Sequence, residues 1–575
     1  MLPNDLRTLA ESLECHLGDP HDPHSAMSFA RVLELDEREQ YPHELVSALQ
    51  CWGLHEYVVP AADGGRAVDI HDGYSLFRLV ARRDATTATA MSITALSFMP
   101  IWIAAGDEQR RRFATGLQRG LRLAWGLSER AHGSDILANE MVAERVDGGY
   151  VLSGEKWLIG NATVADVVLV FARTGESGAP AGYSIFAVEK RALPAGAVEP
   201  LAHEPLLGLR GIDMSGIRLN GCRLPESARI GPEGAGLEIA LKSSQLARGS
   251  ITSIALGCVD TALRVTLDFA REREIFGRRV LDIPYSRRQL AECFADLMIA
   301  EATALGAVRG LQVTPAQSSI ATAVAKYVVP TLLEGTLAQL AVVLGARHFL
   351  RGDARHAMFQ KALRDIRVVN FADGNTVVNL KVIAGQLARL VDRGLGASEP
   401  ERDEAAVRVA TQFGLDRELP PYRPAEQEVF ARGCDDILVA LPRTLARLEE
   451  ETPAAAAGER IMRAVAELQV ELQQLRRERG REAARSSELY ALAERYCLLN
   501  AAACCLHMYV HNPDAMDSGV LMLSLERLAM RLRWPEPLAG PADVEATAGV
   551  LEHLHAQSRL FSILPISLPA ASRHV

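Results

Sequence analysis

The chain contains 575 residues, enough for about three to four domains, and its 48% apolar composition can build large hydrophobic cores. Its net charge of −10 and pI near 5.9 argue against proteins that hold nucleic acid through basic stripes. Its nine scattered cysteines include no Cys-x-x-Cys pair, so neither a disulfide framework nor a zinc site is expected.

The N-terminal residues carry no basic region followed by an apolar core, as a secretory signal would. Lysine is rare among the basic residues, at 6 of 62, and we interpret this bias as that of a GC-rich bacterial genome. We therefore expect a bacterial, cytoplasmic location.

The first part of the chain is predicted to be helical. Apolar residues recur at three-to-four spacing in 41–52 and 74–83, which is typical of amphipathic helices. Pro60 and the pair Gly64-Gly65 interrupt the pattern. We predict an N-terminal α-helical domain over residues 1–124.

Two motifs rich in glycine and hydroxyl residues follow. Residues 125–135 read Trp-Gly-Leu-Ser-Glu-Arg-Ala-His-Gly-Ser-Asp, and residues 154–161 read Gly-Glu-Lys-Trp-Leu-Ile-Gly-Asn. Small residues let backbone N–H groups approach a planar or anionic ligand closely. We predict that the two motifs form one ligand-binding surface.

Residues 125–232 change to period two. Short apolar runs at 150–153, 167–171, 183–188 and 215–219 are separated by Gly and Pro, which is typical of strands. We predict a middle domain built as a small β-barrel or sandwich.

Long helical segments come next, at about 237–272, 286–311, 317–346 and 374–394. Their lengths and short connections are those of a four-helix bundle. We assign the bundle to residues 233–396.

Residues 397–575, called the extension below, are also predicted to be helical. Two heptads are too few for a free coiled coil, so we expect this region to pack against the rest of the chain. The heptad positions are Ile461, Val465, Leu468, Leu472 and Leu475.

The apolar run at 496–510 is too short to cross a bilayer, and it includes Asn500 and His507. We predict a buried helix and no transmembrane segment. His507 and His511 share a helix face without an acidic partner, so we read them as core or surface residues and expect no metal site.

Five sequence blocks in one order carry a resemblance to a known family. They are the two motifs above, Arg-Glu-Ile-Phe-Gly at 273–277, Arg364-Asp365 and Asp373-Gly374. Over residues 30–396 they resemble the acyl-CoA dehydrogenase superfamily. The resemblance implies an α+β, mostly α fold: an N-terminal helical domain, a middle β-barrel and a C-terminal four-helix bundle. The extension would be an additional C-terminal helical domain.

The resemblance implies FAD as cofactor. Leu127 and Ser128 would contact the flavin ring, and Gly133 and Ser134 the pyrophosphate; a plain strand end is the alternative for Ser128. Leu158 stands where many relatives have a tryptophan over the ring. Further residues implied in cofactor binding are Trp125, Ile159 and Gly160.

Trp157 lies one residue before Leu158 and, at period two, points to the opposite face. It cannot replace the missing tryptophan, so we expect altered shielding of the flavin and altered reactivity toward oxygen.

Arg273 and Phe276 resemble the block by which one family subunit reaches the FAD of its neighbour, which implies a homodimer or homotetramer. A guanidinium fork suits a diphosphate. The alternative for Arg273 is a solvated arginine. The remaining implied cofactor contacts are Val280, Gly345 and Ala346.

The resemblance places Asp373 where the family has its catalytic base, usually a glutamate. Aspartate reaches roughly 1–1.5 Å less far, and such misplacement can cost about a hundredfold in a proton transfer. A helix N-cap is the alternative for Asp373. Ala372 stands in place of an aromatic ring, and Arg248 and Gly374 complete the implied substrate contacts, with a surface salt bridge as the alternative for Arg248.

The implied function is FAD-dependent α,β-dehydrogenation of an acyl-CoA or acyl-carrier-protein thioester. The departures from the family pattern favour specialised biosynthesis. The electron acceptor would be an electron-transfer flavoprotein or O₂. Two alternatives stay open: a flavin oxidase or monooxygenase, for example one that decarboxylates and oxygenates a β-keto acid, and a catalytically inactive assembly partner.

Overall fold

The computed structural model describes residues 4–352 and 355–569. Helices build the first part of the chain, as the sequence predicts. The carboxylate of Asp84 accepts the N–H groups of Thr86 and Thr87 and so caps the start of the fifth helix. The helices of this part are α1 (Asn4–Leu17), α2 (Phe29–Glu37), α3 (His43–Trp52), α4 (Ile70–Arg83), α5 (Ala85–Ser97), α6 (Met99–Ala104) and α7 (Asp107–Gln118).

A curled sheet follows, with its strands in the order β6-β7-β3-β2-β4-β5-β8 and β1 beside β4. The four predicted strand segments all occur, and two of them, now β3 and β7, extend to twelve residues each. The strands are β1 (Leu123–Gly126), β2 (Val142–Val146), β3 (Gly149–Gly160), β4 (Val167–Arg173), β5 (Tyr183–Glu189), β6 (Val198–Leu201), β7 (Met214–Pro225) and β8 (Arg229–Ile230).

Strand β4 is apolar from Val167 to Ala172 because both of its faces are buried there. Val168 and Val170 point into the core enclosed by the sheet. Leu169 and Phe171 point the other way and pack against helices of the first domain. The sheet is thereby fixed to the helical body.

The bundle begins with three long helices, as predicted. The predicted fourth helix at 374–394 is instead divided into α13 and α14 by a turn at residues 385–386. A small hairpin, β9 (Glu274–Ile275) and β10 (Arg278–Arg279), follows α8. The helices are α8 (Gly236–Glu272), α9 (Pro284–Val313), α10 (Ser318–Leu344), α11 (Ala357–Asp365), α12 (Val368–Phe371), α13 (Thr376–Ala384) and α14 (Leu387–Gly396).

The extension is helical and packs against the body, as predicted. Its five heptad residues are buried on α18, and α19, α20 and α21 lie against α9. An irregular segment at residues 414–435, called the connecting segment below, joins α15 to α16. The helices are α15 (Glu399–Phe413), α16 (Asp436–Val439), α17 (Leu441–Leu445), α18 (Pro453–Arg479), α19 (Ser487–His511), α20 (Ser518–Arg531) and α21 (Pro541–Ala556).

Buried charges on α9 hold the extension. The guanidinium of Arg527 on α20 donates to both carboxylate oxygens of Asp296, at 2.9 and 2.7 Å. Glu301 accepts the N–H of Ile563 at 3.0 Å, and Arg78 of α4 pairs with the same carboxylate. Breaking such a buried pair typically costs about 3–5 kcal/mol, so these contacts specify how the extension docks.

The run at 496–510 lies in the buried helix α19, and His507 is in the core. Its Nδ1 bonds with the Thr444 hydroxyl at 2.8 Å, and burial lowers its pKa to about 3. Among the described residues, no group of three metal-ligating side chains occurs.

Three helical stretches are long and apolar enough to cross a membrane by length and composition alone. They are Ala85–Ala104, Gly236–Glu272 and Pro315–Phe349, with mean hydropathies of 1.4, 1.3 and 1.6. Within the fold, 72%, 83% and 50% of their most apolar windows are buried.

Candidate active site

The loop at residues 372–375, called the base loop below, joins α12 to α13. Asp373 and Gly374 both adopt left-handed backbone conformations, with φ of 55° and 105°. Aspartate tolerates this region better than most residues, and glycine adopts it freely. The side chain of Asn375 caps α13 by accepting the N–H of Val378 at 2.9 Å. The helix-cap alternative for Asp373 is therefore wrong.

Three side chains hold the backbone of the base loop. Arg248 Nε donates to the carbonyl of Asp373 at 3.2 Å. Lys326 Nζ and Asn379 Nδ2 each donate to the carbonyl of Gly374 at 3.0 Å. The surface-salt-bridge alternative for Arg248 is wrong, because its side chain is buried and bonded to the loop.

The ionisation of Asp373 depends on burial and on these two cations. Burial raises the pKa of the Asp373 carboxyl above its usual value, while Lys326 and Arg248 lower it by a smaller amount. Burial also lowers the pKa of Lys326 to about 8 and that of Arg248 to about 10, against the attraction of Asp373. A carboxylate with a raised pKa accepts a proton more readily than an ordinary surface aspartate.

A cleft of about 1290 Å³ opens beside the base loop. Arg248 and Asn375 line it on one side, and Ser134 of the first motif lines it as well. Phe430, Arg432 and other residues of the extension complete it. The cleft therefore joins Asn375 of the base loop, Ser134 of the predicted cofactor surface and the extension, whereas Asp373 itself is not among the residues that line it.

The two motifs of the predicted cofactor surface lie side by side. The N–H of Trp157 donates to the carbonyl of Ser128 at 3.1 Å, and the Ser128 hydroxyl donates to the carbonyl of Trp157 at 3.1 Å. The hydroxyl oxygen keeps its lone pairs for a ligand donor. Asn139 donates to the carbonyl of Leu127 at 3.0 Å, which fixes this residue, and Trp125 lies just before it in β1.

Leu158 forms a bulge in β3. The pairing with β7 shifts between Trp157 and Ile159, and Leu158 has a φ of 58° and is 37% exposed. The Trp157 indole donates to Glu204 at 2.7 Å and lies under the guanidinium of Arg130. Trp157 is thus engaged with Glu204 and Arg130 and does not cover Leu158. The sequence predicted this from the alternation of side chains along a strand, whereas the structure attributes it to the bulge at Leu158.

Ile159 and Gly160 offer a ligand only backbone atoms. The side chain of Ile159 is buried in the core of the sheet. A Cβ atom at Gly160 would lie 2.4 Å from Cδ1 of Ile93 on α5, which excludes a hydroxyl side chain there without movement.

A buried ion pair beneath the two motifs is absent from the sequence prediction. Lys156 Nζ donates to Glu129 at 2.8 Å, and the same carboxylate accepts the N–H of Met141 at 3.0 Å. Burial lowers the pKa of Lys156 to about 8, against the attraction of Glu129. The pair ties the end of β1 to β3 and so fixes the relative positions of both motifs.

Other predicted cofactor residues lie apart from this site. Arg273 is exposed where α8 ends, and Phe276, with a φ of 52°, is 94% exposed at the tip of the hairpin. Gly345 and Ala346 are exposed after α10. Val280 is buried, and its N–H donates to the carbonyl of Arg273 at 2.9 Å, so only its remaining backbone atoms can reach a ligand.

The residues present fit the FAD that the resemblance implies. A Cβ atom at Gly133 would meet no atom within 4 Å, so the loop is open to a ligand, and Ser134 beside it lines the cleft. Ser128 supplies a hydroxyl, and the bulged Leu158 supplies an exposed apolar side chain. This combination suits a flat ring that carries a phosphate-bearing tail.

Lys326 and Asn379 were missed in the sequence. The available signal was a lysine in an otherwise apolar stretch of α10, where Glu334 is the other charged residue. Asn379 gives no such signal. Lys326 is distant from Asp373 in the sequence, and Asn379, although near it, carries no pattern that marks a contact with the base loop.

Three family descriptions match the chain in order. "Acyl-CoA dehydrogenase, N-terminal domain" matches residues 27–120, the "middle domain" matches 124–222, and the "C-terminal domain" matches 234–388. Together they cover more than half of the chain.

Similar proteins include an acyl-CoA dehydrogenase of Bacillus subtilis, 29% identical over 43% of this chain and 65% of that protein. The human mitochondrial short-chain specific acyl-CoA dehydrogenase is 26% identical over 63% of this chain and 86% of its own length.

Among solved structures, an acyl-CoA dehydrogenase complexed with FAD from Bacillus anthracis aligns with 99% of this chain, extension included, and with 94% of its own chain. The TM-score is 0.70 and the sequence identity is 17%. The prolyl acyl carrier protein oxidase AnaB covers 67% of this chain and all of its own, with a TM-score of 0.61 and 21% identity. The chain belongs to the acyl-CoA dehydrogenase family of FAD-dependent oxidoreductases.

Proposed function

We propose that this chain catalyses α,β-dehydrogenation of an acyl thioester, with Asp373 as the base that removes the α-proton. The observation that carries the proposal is the base loop, in which Asp373 has a raised pKa and its carbonyl accepts a hydrogen bond from Arg248. The carbonyl of the adjacent Gly374 accepts one from Lys326, and Asn375 of the same loop lines the cleft. FAD, when bound, supplies the acceptor for the β-hydride.

The base loop also offers donors to the thioester oxygen. Among the described residues, no protein acceptor takes the N–H groups of Asp373 and Gly374. A fixed donor at an oxygen that gains negative charge typically lowers the barrier by about 2.7–4 kcal/mol. Arg248 and Lys326 add positive charge nearby, which favours the enolate-like state further.

Ser128 and Leu127 would hold the flavin ring and Ser134 its pyrophosphate. Arg273 and Phe276, exposed on the surface, would reach the cofactor of a second copy, in a homodimer or homotetramer. Contacts of this kind would hold the ring so that a substrate could be oriented between it and the base loop, as the proposed reaction requires.

Specialised biosynthesis remains our proposal for the role. Ala372 leaves space beside Asp373 where an aromatic ring is usual, which suits a branched or carrier-bound acyl group. The oxidase of similar fold whose name specifies a prolyl acyl carrier protein supports the same direction. An electron-transfer flavoprotein is the acceptor that we propose for the dehydrogenase, in a bacterial cytoplasm.

A flavin oxidase is the second candidate, and the uncovered Leu158 favours it. Without an aromatic ring over this position, O₂ has a more open path to the reduced cofactor. Steady consumption of O₂ with substrate and no other acceptor would favour the oxidase. Turnover that requires an added electron acceptor would favour the dehydrogenase.

The test is anaerobic mixing of the purified yellow protein with candidate acyl thioesters while the flavin absorbance is followed. We expect rapid bleaching in the parent, and none in Asp373→Asn, which keeps its FAD. Asp392→Asn, an exposed aspartate on α14, is the matched control and should bleach like the parent. Equal bleaching in Asp373→Asn would overturn the assignment of the base.

A further inference from the structure

The cleft is strongly positive, although the chain as a whole carries a net charge of −10. Among the described residues, its lining contains one acidic side chain, Asp135, which pairs with His132. The basic side chains that line it are Arg248, Lys381, Arg389, Arg432 and Arg476. Such a cleft attracts anions and raises their local concentration.

Two of these cations come from the extension. Arg432 lies in the connecting segment, and Arg476 lies near the end of α18. The family match ends at residue 388, so both arginines lie in the part of the chain that the three family descriptions do not match.

The connecting segment is held firmly at the cleft. Gln245 of α8 donates to the carbonyl of Glu428 at 2.8 Å, and Gln386 accepts the N–H of Ala431 at 2.9 Å. Gly433, with a φ of 86°, packs so closely on α14 that a Cβ atom would lie 3.1 Å from the carbonyl of Arg389. The extension thus brings Arg432 beside Arg389 by defined contacts.

The cations at the cleft mouth lack close counter-charges. Among the described residues, Lys381, Arg389 and Arg476 take part in no ion pair. Arg432 comes no closer than 3.7 Å to Glu428. Four like charges around one opening repel each other, and a ligand with several anionic oxygens would relieve that repulsion.

The cleft is graded from its deep end to its mouth. Arg248, next to the base loop, is 6% exposed, whereas the other four cations are exposed, as is Phe430, at 64%. This gradation fits a long ligand whose reacting end is buried and whose charged end reaches the surface. Phe430 offers an apolar contact beside the charges.

We propose that Arg432 and Arg476 of the extension, with Lys381 and Arg389, bind the phosphate groups of the pantetheine carrier that delivers the acyl thioester. The proposal rests on the proposed function and adds the anchoring site and its residues. A phosphate on pantetheine occurs both in CoA and on a carrier protein, and the two sources are separated below.

The test compares the double variant Arg432→Gln/Arg476→Gln with the parent on acyl-CoA, acyl-phosphopantetheine and acyl-pantetheine. We expect KM for acyl-CoA to rise about tenfold or more, since charge-assisted contacts are lost. KM for acyl-pantetheine, which has no phosphate, should stay within about twofold. The matched control is Arg423→Gln/Arg477→Gln, two exposed arginines outside the cleft lining.

The result with acyl-phosphopantetheine identifies which phosphate the site binds. A similar rise with acyl-phosphopantetheine assigns the site to the phosphate shared with carrier proteins. A rise confined to acyl-CoA assigns it to the nucleotide phosphates. Equal losses on all three substrates, no loss on any, or loss of bound FAD would overturn the proposal.

Calorimetric titration with CoA alone separates this proposal from the proposed function. If no thioester bleaches the flavin but CoA binding weakens in the double variant, the phosphate site stands and the reaction is wrong. If thioesters bleach the flavin and the variant binds CoA like the parent, the reaction stands and the phosphate site is wrong.

Discussion

Asp373 sits between opposing influences, because burial disfavours its charge while Lys326 and Arg248 favour it. In the proposed reaction the ionised form is the base, so we expect activity above the pKa of Asp373 and a loss of activity as pH falls through that pKa. Because that pKa is raised, the loss begins at a higher pH than an ordinary aspartate would give.

Lys326→Met should move this acid limb to still higher pH, because it removes one of the charges that lower the pKa of Asp373. The measurement is the rate of anaerobic flavin bleaching across pH. The control is Lys242→Met, because Lys242 lies on α8 and pairs with Glu238 instead of Asp373. An acid limb that stays in place or moves to lower pH would contradict this electrostatic role.

Gly160 illustrates a steric restriction at the flavin surface. Gly160→Ser should destabilise the protein by about 1 kcal/mol, because its Cβ atom would lie 2.4 Å from Cδ1 at the end of the Ile93 side chain, which must move aside. In an Ile93→Ala background the same change should cost little, because the colliding atom is gone. Thermal unfolding of both variants measures the effect, and a fully stable Gly160→Ser would show that α5 yields easily.

At the scale of single residues, the sequence was enough to propose roles for Asp373, Ser128 and Ser134, because each lies in a recognisable block. Lys326 and Asn379 could not be placed with them. Lys326 reaches the base loop from 48 residues away in the chain, through a packing of helices that local patterns do not encode.

Helix α9 is the element that links the family fold to the extension. It looks like an ordinary apolar bundle helix, yet Glu292, Asp296 and Glu301 are buried in it. Buried acids require partners, and these are Arg527, Arg78 and the backbone near residue 563. The acids were a readable signal that a further layer covers this helix.

Arg527→Met should cost about 3 kcal/mol of unfolding free energy, because it removes the buried cation of Asp296, which among the described residues keeps only Arg531, at 3.4 Å. Urea denaturation measures the loss. Arg463→Met, at an exposed arginine on α18, is the matched control and should change stability by less than about 0.5 kcal/mol. Similar small losses in both variants would show that the buried pair contributes little.

The long helices could be predicted from the sequence, because their apolar residues recur with the 3.6-residue period of a helix over many turns. The division of the fourth bundle helix at 385–386 was not, since Gly385 alone is tolerated within helices. The bulge at Leu158 was also invisible, because it depends on the pairing of β3 with β7.

For the whole molecule, the extension belongs to both the fold and the cleft. It covers α9 and lines the cleft with Phe430 and Arg432, and its residues 561–563 are buried against α4, α8 and α9. The apolar heptad positions predicted that the extension packs against the body. Its contribution to the cleft lining could not be predicted, because it depends on the path of the connecting segment, which has no periodic pattern.

A chain that ends at residue 398 should therefore fail to fold into a soluble flavoprotein, although it retains every family motif. Truncation would expose the apolar face of α9, leave Asp296 without Arg527, and leave Glu301 without the N–H of Ile563. Soluble yield and bound flavin measure the outcome. A soluble, yellow truncated protein would show that the extension is an independent addition.

The most direct test of Asp373 as the base follows the α-proton itself. When an acyl thioester that bleaches the flavin is incubated anaerobically with the holoenzyme in D₂O, NMR should show deuterium entering the α-position with the parent. With Asp373→Asn, carrying the same FAD, this exchange should be lost. Exchange at the parent rate in the variant would contradict the assignment.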